Sequence, residues 1–346
     1  MLLGHVNPQT QTVTQSLVVG VDAGATSTRV AVHALDGTRV AYTRAGAGNP
    51  TAHGLAKAVA AIEEALAAAL RPHDGGRVVG SVAGIAGRVT EMVPALAKVW
   101  ADHGIAEGPR HIGDVPIAYV AGSAEPDGSL LLSGTGAVAA RIEGYELGVI
   151  ADGLGWLLGD EGSGFWIGRA AAKAVVDAFD RGLPVTAIDA PSDAPGARGP
   201  VGGPLVTLVA GHFLGDERPA TPRGVADRIV RLAQADHMRL AALSSLVSQA
   251  AAAGDSMAAG IVREAADRLV ATLRRVHVSG PVVLAGSVLT SEGPIRQAVM
   301  ELLDGETVTT ARDAAGAAAW LAARALLPEA DAKARHAAFT APPVAT

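Results

Sequence analysis

Three short apolar runs separated by turn residues open the chain. Residues 17–22 and 29–35 are rich in β-branched side chains, and residues 39–44 follow Asp36-Gly37, a dipeptide typical of hairpin turns. This spacing predicts three consecutive antiparallel strands. Residues 55–70 then place Ala and Leu on one side and charges on the other, which predicts an amphipathic helix.

A second unit with the same order of patterns follows the first. The first unit ends with a predicted strand at 77–83, a helix at 90–103 and a short strand at 110–113. Residues 128–140 again show the pattern strand, glycine-rich turn, strand, and residues 145–151 predict one more strand. This duplication predicts two similar α/β domains that face each other across a cleft.

Helices dominate the rest of the pattern. In chain order we predict a glycine-dense loop at 153–168, a helix at 169–179, a mobile surface loop at 182–204, helices between 205 and 275, a buried strand at 281–285 and a helix at 314–326. The loop at 182–204 is rich in Pro, Gly and Asp, and a domain linker is the alternative interpretation.

These elements divide the 346-residue chain into two domains, because one hydrophobic core seldom extends over so many residues. We expect a flexible extension at 1–16, an N-terminal domain at 17–127, a C-terminal domain with a helical insertion at 128–313, and a frayed tail at 328–346. The helix at 314–327 is expected to pack back on the N-terminal domain.

Composition narrows the classes of function. Hydrophobic residues make up 49% of the chain and charged residues 18%, so packed domains are expected rather than disorder. A net charge of −6 without a basic stripe argues against nucleic-acid binding. The absence of cysteine rules out disulfides and cysteine-ligated metal clusters, and the histidines show no metal-ligand spacing. No signal peptide or membrane span is predicted, so we expect a cytoplasmic protein without a membrane partner.

The first candidate motif follows the first predicted strand, which ends at Asp22. The turn after it consists of small and hydroxyl residues: Gly24, Ala25, Thr26, Ser27 and Thr28. Small residues let phosphate oxygens approach backbone N–H groups, and the hydroxyls add donors. Asp22 is suited to hold Mg²⁺ through water, since Mg²⁺ keeps most of its hydration shell. An ordinary polar hairpin is the alternative, and a Walker A pattern is absent.

Two further motifs follow the same logic. The second hairpin has a turn that consists of Ser133, Gly134, Thr135 and Gly136. Two such hairpins are expected to grip one polyphosphate from opposite sides. Gly286 and Ser287 follow the strand at 281–285, where small residues would let an adenine ring lie against the backbone. Because strand–Gly–Ser turns are common, a purely structural turn is the alternative for this third motif.

Together these motifs resemble the actin-like ATPase superfamily. The closer resemblance is to the N-acetylglucosamine kinase branch of the BadF/BadG/BcrA/BcrD-type ATPases, and it rests on the glycine-rich run at 153–163, which ends in Gly-Asp-Glu-Gly-Ser. The resemblance extends over roughly residues 17–327. It implies an α/β fold of two ribonuclease-H-like (actin-like ATPase) domains around a central nucleotide and sugar cleft, with ATP and Mg²⁺ as cofactors.

The resemblance also implies roles for single residues. Asp114 matches a family carboxylate that accepts the proton of the sugar hydroxyl, and phosphoryl transfer needs such an aligned nucleophile. Asp114 also has the position of a helix N-cap, and the two roles are compatible. Asn49 matches a residue that hydrogen-bonds the sugar, with a turn residue before Pro50 as the alternative.

The second unit supplies the other implied sugar contacts. Thr135 and Gly136 match positions that contact both sugar and phosphate, and Asp160 matches a carboxylate that binds sugar hydroxyls. Glu161 could assist Asp160, although both could instead cap the following helix. Trp156 stands where related mammalian-type kinases have His, so it either stacks on the sugar or packs in the core.

The implied reaction transfers the γ-phosphoryl group of ATP to the 6-hydroxyl of an amino sugar, with N-acetylglucosamine favoured over glucosamine. A kinase for another hexose or for N-acetylmuramic acid is an alternative, as is a non-catalytic sugar-responsive regulator. An activator ATPase of radical dehydratases is disfavoured, because such proteins bridge an iron–sulfur cluster through cysteines. Related kinases are usually homodimers, which makes a homodimer the expected assembly. Arg88 lies near a family loop that lines the cleft, and it is given no role.

Overall fold

The computed structural model describes residues 15–87, 90–189 and 203–343. The chain divides into two compact units: unit 1 comprises Met1–Ile117 with Arg312–Thr346, and unit 2 comprises Ala118–Ala311. The sequence instead predicted a boundary after residue 127. Most of the predicted extension at 1–16, most of the predicted loop at 182–204, and Arg88 lie outside the described residues. Within the described ranges, no helix combines the length and apolar character needed to cross a bilayer.

The strands and helices are numbered here in chain order. The strands are β1 (Leu17–Ala23), β2 (Thr28–Ala34), β3 (Arg39–Ala45), β4 (Val78–Ile85), β5 (Arg110–Gly113), β6 (Gly128–Ser133), β7 (Ala137–Glu143), β8 (Glu146–Asp152), β9 (Val282–Ala285) and β10 (Val308–Thr310). The helices are α1 (Pro50–His53), α2 (Leu55–Leu70), α3 (Val93–Asp102), α4 (Asp114–Val120), α5 (Gly164–Asp180), α6 (Pro204–Leu214), α7 (Pro222–Ala235), α8 (Met238–Ala241), α9 (Leu243–Ala252), α10 (Ser256–Arg274), α11 (Ser287–Thr290), α12 (Pro294–Leu302), α13 (Ala314–Arg324) and α14 (Glu329–Phe339).

Unit 1 is built on a mixed sheet with the strand order β3-β2-β1-β4-β5. The three N-terminal strands pair antiparallel, as their sequence pattern predicted, and β4 and β5 add in parallel on the other side of β1. Val19 and Val21 of β1 point into the core that includes Ile62 and Leu66 of α2. Successive strand residues point to opposite faces, so Asp22 lies on the other face of the sheet, where α13 packs.

Unit 2 repeats this topology, with the strand order β10-β9-β6-β7-β8. Strands β6, β7 and β8 pair antiparallel, and β9 and β10 add in parallel. Helices α6 to α9 are inserted between α5 and α10, and Phe165, Val175 and Leu269 are among the buried residues of the core. The shared strand order is the structural counterpart of the duplicated sequence pattern, and the predicted α/β fold class is confirmed.

The described elements depart from the sequence-based expectations in several places: α11, α12 and β10 were not predicted, and two other segments differ in extent or order. Helix α5 begins at Gly164 rather than at residue 169, because the Ser163 hydroxyl caps it by accepting a hydrogen bond from the Trp166 N–H at 3.1 Å. The prediction of a frayed tail is wrong for the residues that form α14. That helix buries Phe339, and Trp320 donates a 2.7 Å hydrogen bond to the Ala332 carbonyl, so tertiary packing holds it in place.

Candidate functional site

The turn between β1 and β2 is braced by three hydrogen bonds to or from its backbone. The Gly24 N–H donates to the Ser27 carbonyl at 3.0 Å, the Gly48 N–H donates to the Gly24 carbonyl at 3.1 Å, and His53 Nε2 lies 2.8 Å from the Ala25 carbonyl. Of the described parts of the chain, a Cβ placed on Gly24 would meet only the Ser27 carbonyl, at 3.7 Å, so these parts leave the space beside this backbone open. The turn therefore has the rigid backbone and free approach that an anion needs.

The hydroxyls of this turn differ in accessibility. Thr26 is exposed, whereas Ser27 and Thr28 are buried. The Thr28 hydroxyl is fully covered and has no hydrogen-bond partner among the residues that the structure describes, and Gly48 packs directly against it. The exposed donors of the turn are thus the backbone and the Thr26 side chain, so a phosphate role for Ser27 and Thr28 is less direct than the sequence implied.

Two of the predicted carboxylates lie at the same edge of the unit 1 sheet. Asp22, near the end of β1, is paired in register with Gly84 of β4, which in turn is paired with Ile112 of β5. Since adjacent strands are about 4.8 Å apart, the backbone of Asp22 lies on the order of 10 Å from β5, which Asp114 follows. The charge of Asp114 raises the pKa of Asp22, so the two carboxylates share one electrostatic environment.

Asp22 is not a free carboxylate. Its Oδ2 forms an ion pair with Nη1 of Arg29 at 2.9 Å, and Arg29 is the residue opposite Asp22 on β2. The side chain of Asp22 is 14% exposed. Burial raises the pKa of Asp22, the guanidinium of Arg29 opposes this, and the charges of Asp114 and Asp313 add to the increase. Because the two anions Asp114 and Asp313 lie near Asp22 along with the single cation Arg29, a further positive charge nearby would stabilise the ionised form of Asp22.

This donor set is compatible with Mg²⁺. Among the residues that the structure describes, no group of three or more His, Cys, Asp or Glu side chains could hold a metal ion. Mg²⁺ does not need such a cage, because it is usually bound by one or two carboxylates together with waters and substrate phosphates. A single partly exposed carboxylate beside a phosphate-type turn fits that pattern.

Asp114 has the helix-start position considered for it, and its catalytic role stays a prediction. It is the first residue of α4, and its carboxylate accepts hydrogen bonds from its own N–H and from that of Val115. Burial raises the pKa of Asp114, and these two hydrogen bonds oppose the increase. A half-buried carboxylate with a raised pKa is a better proton acceptor than an exposed one.

Asp313 was not found by sequence reasoning. It lies directly before α13 and is 4% exposed. Its Oδ2 forms an ion pair with Nη2 of Arg39 on β3 at 2.8 Å. Burial raises the pKa of Asp313, and the guanidinium of Arg39 opposes that increase. Its partner is 274 positions away in the chain, so no local pattern could reveal the pair.

Asn49 has a visible structural role. Its Oδ1 accepts a 2.8 Å hydrogen bond from the Thr51 N–H, and its carbonyl accepts one from the His53 N–H at 3.1 Å, so it begins α1. This is the turn role that the sequence offered as an alternative. The sugar contact implied by the family resemblance stays a prediction.

The hairpin turn of unit 2 is hydrogen-bonded to the first residue of α5. The Gly134 N–H donates to the Gly136 carbonyl at 2.9 Å, and the Gly164 N–H donates to the Gly134 carbonyl at 2.7 Å. The Ser133 hydroxyl is buried and donates to the Gly162 carbonyl at 3.0 Å, so it serves the fold, while Thr135 is exposed. The turn therefore presents Thr135 and Gly136 to solvent on a fixed backbone.

The third motif lies against this second turn. Gly286 has a φ of +80°, and a Cβ at this position would overlap the Ser133 carbonyl, so only glycine fits. The backbone nitrogen of Ser287 lies 3.9 Å from the point where a Gly134 Cβ would be. The structure thus brings the second and third sequence motifs together in unit 2.

Asp160 lies beside the same turn. A Cβ built on Gly136 would be 2.9 Å from Oδ2 of Asp160, and the Gly155 N–H donates to its Oδ1 at 3.3 Å. Burial raises the pKa of Asp160, hydrogen bonds from Ala137 and Gly155 oppose this, and the charge of Asp152 adds to the increase. Asp160 also has a φ of +56°, which is rare for a residue other than glycine.

Asp152 explains how that conformation is held, and sequence reasoning missed it. Its Oδ1 accepts a 2.8 Å hydrogen bond from the Asp160 N–H, and its Oδ2 accepts one of the same length from the Glu161 N–H. Asp152 itself has a φ of +65°. One carboxylate thus closes the loop by binding two successive N–H groups, and its only sequence signal is its position directly before the glycine-rich run.

Glu161 and Trp156 have neighbours within unit 2. Glu161 forms an ion pair with Arg268, a cation that would compete with any sugar contact of Glu161. The Trp156 ring lies 5.0 Å from the ring of Phe165 and 4.9 Å from that of His237, yet 41% of Trp156 is exposed. Trp156 is thus partly packed and also forms one wall of a mainly apolar cavity of about 530 Å³. His237 was not singled out from the sequence.

Comparisons with known proteins agree on the type of fold. The protein is 23% identical to a proposed N-acetylglucosamine kinase from Chromobacterium violaceum, with a TM-score of 0.61 over 89% of this chain and 99% of the other. It is 22% identical to a ROK family glucokinase from Streptomyces griseus, solved with glucose and AMPPNP, with a TM-score of 0.52 over 89% of this chain and 99% of the other. At these identities the likeness shows a shared fold.

One curated relative is more informative about sequence. An N-acetylmuramic acid/N-acetylglucosamine kinase from Clostridium acetobutylicum is 25% identical over 193 residues, which is 56% of this chain and 56% of that protein. The match therefore spans little more than half of the relative. A model of the BadF/BadG/BcrA/BcrD ATPase family matches residues 19–323, which confirms the resemblance carried by the motifs. Since the matched residues make up most of the chain, the protein belongs to the BadF/BadG/BcrA/BcrD ATPase family.

Proposed function

We propose that the protein is an ATP-dependent kinase that phosphorylates the 6-hydroxyl of an amino sugar, N-acetylglucosamine in preference to glucosamine. One observation carries this proposal: a braced, glycine-containing hairpin turn recurs at the same place in both sheets, and each turn has a partly buried carboxylate near it. The name of the Clostridium acetobutylicum relative includes N-acetylglucosamine kinase, and the Chromobacterium violaceum protein is a proposed kinase of that type, which supports the choice of substrate.

The two turns would bind phosphate oxygens through their exposed backbone. In unit 1 these are the N–H groups of Ala25 and Thr26, and in unit 2 those of Thr135 and Gly136. Mg²⁺, when bound near Asp22, would neutralise part of the phosphate charge. Arg29 already pairs with Asp22 and would keep that carboxylate oriented.

Asp114 would align the sugar hydroxyl and accept its proton as the new P–O bond forms and ADP leaves. Its raised pKa brings the basicity of Asp114 closer to that needed to take the proton of the sugar hydroxyl. The two backbone hydrogen bonds fix the orientation of its carboxylate. At neutral pH it must be ionised to act, so turnover should fall in acid as Asp114 becomes protonated.

Asp160 would accept hydrogen bonds from other sugar hydroxyls. Its contact with Gly136 places it beside the turn that would bind phosphate, so one local structure could hold both substrates. Asp152 would position Asp160 without touching the sugar, because both oxygens of Asp152 are occupied by backbone N–H groups. Trp156 offers an aromatic face nearby, which suits an apolar sugar substituent.

A coupled assay of ADP release tests the proposal. Purified protein with Mg²⁺ and ATP would be given N-acetylglucosamine, glucosamine, glucose or N-acetylmuramic acid. We expect sugar-dependent ADP release, with N-acetylglucosamine giving the highest kcat/KM. ADP release that no sugar in the panel stimulates would count against the kinase, and a preference for glucose would count against the amino-sugar assignment.

N-Acetylmuramic acid is a second candidate substrate. Arg169 and Lys173 line the cavity beside Trp156, and these two cations suit the carboxylate that distinguishes N-acetylmuramic acid from N-acetylglucosamine. The relative from Clostridium acetobutylicum is named for both sugars. If this candidate is right, replacing both cations by Ala should raise the KM for N-acetylmuramic acid and leave that for N-acetylglucosamine unchanged.

A further inference from the structure

A groove of about 630 Å³ lies between α5 and α10 in unit 2, and we call it the cationic groove. Its volume is within the range of small-molecule sites. Four of its lining residues are Arg or Lys and two are Asp or Glu, in a chain whose net charge is −6. The lining side chains that matter below are Trp166, Arg169 and Lys173 of α5 and Glu264 and Arg268 of α10. The groove thus concentrates positive charge on a protein that is acidic as a whole.

Helix geometry brings two of these cations together. Trp166, Arg169 and Lys173 follow one another at intervals of three and four residues on α5, so their side chains lie on one face of the helix. Side chains four residues apart have Cβ atoms only about 5–6 Å from each other, and like charges at this spacing destabilise a helix. An anion that contacts both Arg169 and Lys173 would remove that repulsion.

The cations of the groove differ in whether they have partners. Arg268 forms ion pairs with Glu264 at 2.8 Å and with Glu161. Arg169 and Lys173 are exposed, and neither forms an ion pair or a hydrogen bond with another residue in the described parts of the chain. Two adjacent positive charges are therefore available to a ligand.

The other lining groups suit the sugar part of a phosphorylated sugar. A carboxylate such as that of Glu264 accepts hydrogen bonds from hydroxyls. The indole of Trp166 lies under the Arg268 guanidinium, 4.8 Å from the ring centre, and gives the groove an aromatic wall. A dianionic phosphate is the group that two neighbouring cations bind most strongly, because charge-assisted hydrogen bonds exceed neutral ones.

We propose that the cationic groove binds a phosphate monoester of a sugar, with Arg169 and Lys173 on its phosphate group. This would be a second ligand site of unit 2, separate from the turn that presents Thr135 and Gly136. The product of the proposed reaction is such an ester, and it serves as the probe.

Arg268 would couple this groove to the loop of the candidate site. The backbone N–H of Glu161 is bound by Asp152, and its side chain is bound by Arg268. A phosphate in the groove would compete with Glu161 for Arg268 and so remove one of the two restraints next to Asp160. Occupation of the groove would then weaken sugar binding, a consequence that rests on the proposed function.

Isothermal titration calorimetry of the full chain tests the groove directly. N-Acetylglucosamine 6-phosphate is titrated into protein that contains excess N-acetylglucosamine and no ATP, so that the free sugar keeps the ester out of the sugar site. The variant Arg169→Ala/Lys173→Ala removes both unpaired cations. Arg263→Ala is the matched control, because Arg263 is an exposed cation of α10 that does not line the groove. Circular dichroism would show that each variant remains folded.

We expect the wild type and Arg263→Ala to bind one equivalent of ester with a Kd of about 1 mM or lower, and the double variant to bind about tenfold more weakly or worse. Absence of binding by the wild type, or equal binding by the double variant and the control, would overturn the proposal. Inorganic phosphate is the second probe. If it binds as tightly as the ester, the groove is a site for a simple anion and the assignment of a sugar ligand is wrong.

Initial rates of ADP release test the coupling. Because Arg169 and Lys173 also line the cavity beside Trp156, the substrate is N-acetylglucosamine, which has no carboxylate for them. In the wild type the sugar KM should rise with ester concentration and then level off, since sugar and ester occupy different sites. A KM that rises linearly without levelling off, in the wild type as in the double variant, would place the ester in the sugar site alone and overturn the coupling. Absence of sugar-dependent ADP release would refute the kinase instead, and calorimetry would still decide whether the groove binds the ester.

Discussion

Replacing Asp114 by Asn is the most informative change to unit 1. Asn has the same shape, and its side-chain oxygen can still accept a hydrogen bond from the Val115 N–H, so α4 should keep its start. What is lost is the negative charge and the ability to take a proton. The change therefore separates the chemical role of Asp114 from its structural one.

The expected effects on turnover and stability have opposite directions. Loss of a general base typically slows turnover by about 10²- to 10⁴-fold, which corresponds to roughly 3–5 kcal/mol of transition-state stabilisation. Because burial raises the pKa of Asp114 in the folded state, its ionisation opposes folding at neutral pH. The variant should melt at a higher temperature than the wild type at pH 7, and this gain should shrink as the pH falls through the raised pKa.

The assay measures kcat and both KM values by ADP release, with thermal melting at pH 7 and pH 5. Asp102→Asn is the matched control, since Asp102 is a half-exposed carboxylate of unit 1 that pairs with Lys98 on the same helix. The control should leave turnover unchanged. Near-normal kcat for Asp114→Asn, or a melting temperature below that of the wild type at pH 7, would refute the reasoning about this carboxylate.

Four other substitutions, and one control, test unit 2 and the sugar contacts. Asp152→Ala should raise the sugar KM about tenfold or more while the ATP KM stays constant. Asp255→Ala is its control, because Asp255 also accepts hydrogen bonds from two N–H groups at the start of a helix. The control should lower the melting temperature without changing the sugar KM. Asp160→Ala and Asn49→Ala should each raise the sugar KM, and a change in the ATP KM alone would show that the sugar site is misplaced. Gly286→Ala should cost about 2 kcal/mol or more in unfolding free energy, measured by denaturant titration, because its φ of +80° and the adjacent Ser133 carbonyl leave no room for a Cβ.

The sequence was sufficient where the signal is local. Apolar runs separated by turns identified β1 to β9, whereas the three-residue strand β10 was not predicted, and the repeated strand–glycine turn–strand order indicated the duplicated fold. Helix α14 was missed because its sequence is rich in charge, and what orders it is contact with α13 through Trp320 and Phe339. Such long-range packing leaves no periodic signal for a reader of the sequence.

The candidate site shows the same division. The two hairpin turns and Asp114 follow strand ends and could be found from the sequence, whereas the partners of Asp22 and Asp160 could not. The ion pair of Arg29 with Asp22 depends on cross-strand register. The hydrogen bonds that Asp152 accepts from the loop depend on the positive φ angles of Asp152 and Asp160. Sequence reasoning also treated Ser133 as a phosphate ligand, while its buried hydroxyl is committed to the Gly162 carbonyl.

The central claim is that this chain moves a phosphoryl group from ATP to a sugar hydroxyl. Phosphorus NMR of the products formed from ATP and N-acetylglucosamine tests it most directly, with Asp114→Asn as the inactive comparison. The account predicts a sugar 6-phosphate resonance that grows in step with ADP for the wild type and is nearly absent for the variant. Inorganic phosphate as the sole new product, with or without sugar, would contradict it.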